Sequence, residues 1–236
     1  MSPESPPPSA DPPVVAGMIH DWKIAEREYQ RQLSRRGRRH AFERLSPTAT
    51  ALVVVDMIPF FSEQNPYCQG VIAPINALAG ALRAAGGAVA WVLPSRDDPF
   101  PALSRALNGD AGAEAYRTSA REGGLAEKLC PALEPEPADL FVEKTAASAF
   151  FPGACILADL LRSRGIDTLI IAGTVTNVCC ESTARDARAL GYRVILAADA
   201  NAARTDAEHN ATLHTIYRSF GDVRATAEIL ELIAAG

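Results

Sequence analysis

An acid, an amine and a thiol stand at the ends of three apolar runs in this chain. Asp56 closes ATALVVVD, Lys144 closes DLFVEK, and Cys179 follows DTLIIAG, near the start of NVCCESTARDARALG. A cysteine at a helix start feels the positive end of the helix dipole, which lowers its pKa and favours the thiolate, the form that attacks a carbonyl. Asp56 would accept the thiol proton and later pass it to a leaving amine. Lys144 would hold that carboxylate ionised, and its charge would also favour the thiolate. Backbone N–H groups at the helix start can supply donors for a tetrahedral oxyanion. No histidine is required: His20 and His40 lie near the N-terminus, and His209 and His214 on a late helix. Each residue has a plainer explanation, as a buried inert thiol, a helix cap or a solvated lysine. An acid, an amine and a thiol delivered to one edge are harder to explain that way. Redox chemistry by the adjacent Cys179 and Cys180 is disfavoured, because neighbouring cysteines close only a strained ring.

The elements that must position these groups alternate from Thr48 onward. Strands are predicted over 49–56, 88–93, 139–144, 167–173 and 192–199, with a short sixth in DVRAT. Helices are predicted over 71–87, 154–165, 177–191 and 206–221, and at the C-terminus. Residues 94–138 are mixed, with Pro, Gly and short helical pieces. Continuous apolar strands alternating with helices predict an α/β fold: a Rossmann-like three-layer α/β/α arrangement on a mainly parallel six-stranded sheet. Such sheets bind ligands beyond the carboxyl ends of their strands. That edge receives Asp56, Lys144, the turn to Cys179, and Asp199 with the loop containing Arg204.

The chain divides into an arm, residues 1–47, and a body, 48–236. Residues 1–16 are rich in Pro and Ser and are expected to be disordered. Residues 20–44 are charged and helix-prone, with a basic cluster at Arg35, Arg36, Arg38 and Arg39. The net charge of −5 argues against a nucleic-acid partner and for a solvated or subunit-contact arm. Trp22, Ile24, Tyr29 and Leu33 need burial, which a neighbouring subunit would supply, so a homo-oligomer (dimer or tetramer) is expected. No apolar run is long enough to span a bilayer, so no membrane partner is expected. The N-terminus lacks the pattern of a secretory signal. Five irregularly spaced cysteines suggest neither a disulfide framework nor structural zinc, and a reducing cytoplasm is the expected location.

The segments TALVVVDM, EKTAASAFF, GTVTNVCCESTARDARALGYRV and DANAA occur in an order and spacing that resemble the isochorismatase-like cysteine hydrolase superfamily, over about four-fifths of the chain. The resemblance implies an Asp–Lys–Cys triad at Asp56, Lys144 and Cys179. It also implies a non-proline cis peptide between Thr174 and Val175, and an oxyanion hole from the N–H groups of Val175 and Cys179. Cys180 stands where the family usually has a small apolar residue. Ile58-Pro59 follows Asp56-Met57, where the family often has Gln. Members with a metal site carry an Asp and histidines after the second strand. Here VLPSRDDPFP has no histidine, so no metal or other cofactor is expected, although Asp97 and Asp98 could bind a hard cation. Members that cleave a vinyl ether lack the cysteine. Cys179 therefore points to the amidohydrolase branch, acting on a small carbamoyl or primary amide substrate. In N-carbamoylsarcosine amidase-like members an arginine after the fifth strand binds the substrate carboxylate, and Arg204 is at a comparable position. The rivals are a vinyl-ether hydrolase and a non-catalytic binding protein on the same scaffold.

Overall fold

The computed structural model describes residues 17–63, 65–119 and 123–236. The disorder expected for residues 1–16 lies outside them. The strands are β1 (Thr50–Val55), β2 (Ala88–Pro94), β3 (Leu140–Lys144), β4 (Thr168–Thr174), β5 (Arg193–Ala202) and β6 (Asp222–Arg224). The helices are α1 (Glu26–Arg36), α2 (Pro59–Ser62), α3 (Pro66–Gly70), α4 (Ile72–Ala84), α5 (Pro101–Ser119), α6 (Leu157–Ser163), α7 (Glu181–Ala189), α8 (Asp206–Ser219) and α9 (Thr226–Ala235).

All five strand pairings are parallel, in the order β3-β2-β1-β4-β5-β6. The apolar runs become strands because both faces of the sheet are covered. Every residue of β1 and β4 is buried, and alternate residues enter opposite layers. Leu52, Val54, Ile170 and Ala172 meet Ile75, Leu78 and Leu82 of α4 and Ile229 of α9. Val53, Val55, Leu169 and Ile171 meet Leu157 and Leu161 of α6, Ala184 of α7 and Leu213 of α8. The α/β/α expectation thus holds, with a sheet that is parallel throughout.

The chain leaves β1 in one direction, toward β2 and β3, and returns on the other side through β4. β1 and β4 therefore flank the topological switch point, where crossovers diverge and leave a crevice. Gly173 makes their close approach possible. Its φ is 112°, and a Cβ there would stand 2.2 Å from the Val55 carbonyl oxygen, so no side chain fits.

The arm packs on its own chain. Ile24 and Tyr29 are buried in the layer beneath α8, and Trp22 packs against that layer, while Leu33 stays exposed. For Ile24, Tyr29 and part of Trp22 the burial expected from a neighbouring subunit is supplied within the chain. The basic cluster is also engaged: the Arg39 guanidinium lies 3.7 Å from the centre of the Tyr29 ring, and Arg36 bonds the Arg38 and Arg39 carbonyls. No helix among the described residues is long and apolar enough to cross a membrane.

Candidate active site

Three of the groups expected at the sheet edge meet there. Lys144, the last residue of β3, places Nζ 2.8 Å from Asp56 Oδ2 and 3.6 Å from Cys179 Sγ, and donates to the Ala146 carbonyl at 3.1 Å. The ammonium thus donates to the Ala146 carbonyl and the sulfur, while its contact with Asp56 is an ion pair. All three residues are buried. Asp56 follows β1 with φ 51°, a left-handed conformation that aspartate tolerates better than most residues. Its N–H donates to the Val92 carbonyl and its own carbonyl accepts from Thr174 Oγ1, both at 2.8 Å. The backbone at the switch point is thereby tied to both neighbouring strands. Neither carboxylate oxygen receives an aligned hydrogen bond among the described residues. The Lys144 contact neutralises the charge while leaving acceptor capacity for another proton.

β4 delivers the cysteine through a turn. The Thr174–Val175 peptide is cis, and Thr176–Cys180 forms a single π-helical turn before α7. Cys179 therefore sits in this turn rather than in the first turn of a regular helix. Its electrostatics differ from the sequence expectation. Burial is the largest influence and the Asp56 charge the next; together they outweigh Lys144 and push the Cys179 thiol up to about 12. The helix-start argument omitted desolvation, which favours the neutral thiol. Lys144 is shifted upward: burial disfavours its ammonium, but Asp56 and the neighbouring groups more than compensate. The resting arrangement is an ion pair beside a protonated thiol. Cys180 lies wholly within the apolar layer, and burial raises its thiol well above the ordinary value.

Lys144 and Cys179 face a cleft of about 750 Å³, while Asp56 lies behind them. Val175 and Cys179, the expected oxyanion donors, both line it. Arg204 stands exposed at its rim beside Glu208. Asp97 and Asp98 line the far side, and no group of three metal-ligating side chains occurs among the described residues. Asp199 is not part of the site. β5 runs on to Ala202 after a register shift opposite β4, and the Asp199 carboxylate instead accepts the Thr226 N–H and Oγ1–H, both at 2.7 Å, at the start of α9.

The cleft also holds groups that sequence reasoning missed. Phe60 and Phe61 of α2 and Tyr116 of α5 form an aromatic wall, with ring centroids 5.0 to 6.4 Å apart. Partial desolvation against the aromatic wall, then the Asp56 charge, hold the Tyr116 phenol above its ordinary value, although the residue as a whole stays 38% exposed. The adjacent Phe60-Phe61 pair was the one available signal. Nothing in the mixed composition of 94–138 marked Tyr116.

Comparison with known proteins places these features in context. The isochorismatase domain family matches residues 50–228. A ureidoacrylate amidohydrolase of Enterobacter sp. (strain 638) is 34% identical over 211 residues, covering 80% of this chain and 91% of that protein. A cysteine hydrolase structure from Pseudomonas syringae pv. phaseolicola 1448A superposes with a TM-score of 0.72 at 32% identity, covering 83% of this chain and 97% of that one. The N-carbamoylsarcosine amidase structure from Thermoplasma acidophilum gives 0.59 at 29% identity, covering 75% and 96%.

Proposed function

Because the chain belongs to the isochorismatase family of hydrolases, we propose that it is a metal-independent cysteine amidohydrolase acting on a small carbamoyl or primary amide compound that bears a carboxylate. One observation carries this reading: a buried Asp56–Lys144–Cys179 cluster at a cleft floor, with Nζ 2.8 Å from the carboxylate and 3.6 Å from the sulfur. The similarity to amidohydrolases named for ureidoacrylate and N-carbamoylsarcosine supports it.

In this mechanism the thiol loses its proton to Asp56 as Sγ attacks the carbonyl carbon, so the uphill ionisation is coupled to bond formation. The N–H groups of Val175 and Cys179 donate hydrogen bonds to the oxyanion. Asp56 returns the proton to the nitrogen, the C–N bond breaks, and ammonia leaves a thioester on Cys179. Water then attacks the thioester carbonyl, with Asp56 taking its proton. The thiol is regenerated, and the acid, or a carbamate that decays to carbon dioxide, is released. Lys144 holds the carboxylate in place throughout, and Arg204 grips the substrate carboxylate.

Ammonia release from paired carboxylate-bearing and neutral carbamoyl compounds, run in EDTA, tests the reading. Hydrolysis of the acid is expected, with no turnover of isochorismate. Arg204→Ala is expected to weaken recognition of the acid by about 2 kcal/mol, in the range for a lost charged hydrogen bond, with little change for the neutral compound. Equal losses on both substrates would remove Arg204 from the carboxylate role. Activity lost in EDTA and restored by a divalent metal would overturn the metal-free mechanism.

A further inference from the structure

Residues 17–25 contribute nothing to the chemistry described above, yet they are wedged behind it. On one side the Met18 N–H donates to the Pro66 carbonyl at 3.0 Å. Gly70 of α3 lies so close that a Cβ there would stand 1.9 Å from the Met18 carbonyl oxygen. On the other side the segment is laced to α8. The Lys23 N–H donates to Asn210 Oδ1 at 2.7 Å, Asn210 Nδ2 donates to the Asp21 carbonyl at 3.0 Å, and the Ala25 N–H donates to His214 Nε2 at 3.0 Å.

His20 lies between these two attachments. Its ring stacks on Tyr67 at 3.8 Å and on His209 at 4.2 Å. Nε2 accepts the Ala203 N–H at 3.0 Å, and Nδ1 lies 2.6 Å from Asp206 Oδ1. An acceptor at Nε2 requires the proton of the neutral ring to be on Nδ1, which donates to Asp206. Asn65 Nδ2 donates to the Ala203 carbonyl at 2.8 Å, so the residue before Arg204 is gripped through both its N–H and its carbonyl. His209 is fully buried and carries the contact onward, with Nδ1 3.0 Å from Oγ1 of Thr176, the first residue of the turn that bears Cys179.

We infer that His20 is a positioning residue for the active site, a clamp from the N-terminal segment. It sets the Arg204 turn through Ala203, and the Cys179 turn through His209 and Thr176. The activity readouts of this inference rest on the amidohydrolase reading. Protonating Nε2 would set a donor against the Ala203 N–H and release that turn. The titratable and charged groups facing His20 are Asp206, Glu208 and His209 of α8 and Tyr67 of α3. Burial outweighs the carboxylates, so His20 titrates below 6.5 and the clamp is closed at neutral pH.

The test compares full-length wild type with His20→Ala, His20→Gln and Gly70→Ala. It measures kcat, KM and the pH profile of ammonia release, and also the pH-dependent rate at which iodoacetamide alkylates Cys179, read by peptide mass spectrometry. His20→Ala is expected to lower kcat/KM by roughly tenfold to a hundredfold, as small misplacements of reacting groups do, with KM rising most for carboxylate substrates. Glutamine keeps an acceptor for the Ala203 N–H but does not ionise, so His20→Gln should recover most activity and lose the part of the acid limb that His20 sets, keeping the part set by the catalytic base. Gly70→Ala, which displaces Met18, should reproduce the alanine pattern. Unchanged kcat, KM and acid limb in the folded His20 variants would overturn the clamp. If His20→Ala does not fold, the glutamine profile decides, and an acid limb identical to wild type overturns the inference. If the wild-type protein cleaves no amide, the amidohydrolase reading fails and alkylation decides: a rate unaltered by the His20 substitutions at every pH also sinks the clamp.

Discussion

Replacing Cys179 with alanine is expected to lower amide hydrolysis by at least ~10,000-fold while leaving the fold intact, the scale seen when a nucleophile is deleted. Cys180→Ala is expected to keep most of the activity. The two sulfurs are adjacent in sequence but differ in access. Cys179 lines the cleft with Lys144 at 3.6 Å, whereas Cys180 is 0% exposed within the apolar layer. Removing the Cys180 sulfur is a core truncation, which costs on the order of 1 kcal/mol. It should register in thermal denaturation rather than turnover. Measuring ammonia release and melting temperature for both variants decides the matter. A dead Cys180→Ala beside an active Cys179→Ala would transfer the nucleophile to the second sulfur.

Asp56→Asn is expected to produce an unusual pairing of effects: turnover lost by roughly a hundredfold to ten-thousandfold, the usual contribution of a positioned base, yet a more acidic thiol. The sign follows from the site. Burial and the Asp56 charge raise the Cys179 pKa and Lys144 lowers it, so removing the carboxylate leaves burial alone to oppose the lysine and the pKa falls. In the wild-type protein, with the thiol near 12, alkylation by iodoacetamide should be slow at neutral pH and climb through the alkaline range. In the variant the climb should begin at lower pH. Lys144 would also be left buried without its counter-ion, so the melting temperature should fall. Alkylation that is unchanged or slower in Asp56→Asn, or turnover that persists, would show that Asp56 does not hold the thiol proton.

Much of this arrangement was legible because the sheet is covered on both faces. β1 and β4 have no solvent face, so their sequences read as unbroken apolar runs, and their ends point to the edge that holds Asp56 and the Cys179 turn. Features that depend on contacts distant in sequence were not legible. Asp199 looks like a strand-end acid until Thr226, 27 residues later, is seen to take its carboxylate. The partners of His20 on α8 lie more than 180 residues away, and no local pattern announces them. α5 is two short helical segments broken at Gly109 (φ 70°, ψ 165°); none of its residues is buried, and Leu103 and Leu107 stay exposed, so no core-facing stripe marked its bounds in the sequence. The thiol was misjudged for a related reason. Helix polarity can be read from sequence position, but desolvation depends on everything packed around the sulfur.

That bare segment separates two tasks that many enzymes must balance in the same residues. α5 supplies Ser104, Asn108 and Tyr116 to the mouth of the cleft without placing a residue in the core; even Tyr116, which packs on Phe60 and Phe61, stays partly exposed. Substitutions on an exposed surface usually change stability by no more than about 0.5 kcal/mol. The mouth can therefore drift through many sequences while the sheet beneath stays above its stability threshold. A lineage of such chains could trade one substrate for another by rewriting residues 100–119 alone, and a laboratory library confined to that stretch would search specificity with few variants lost to misfolding.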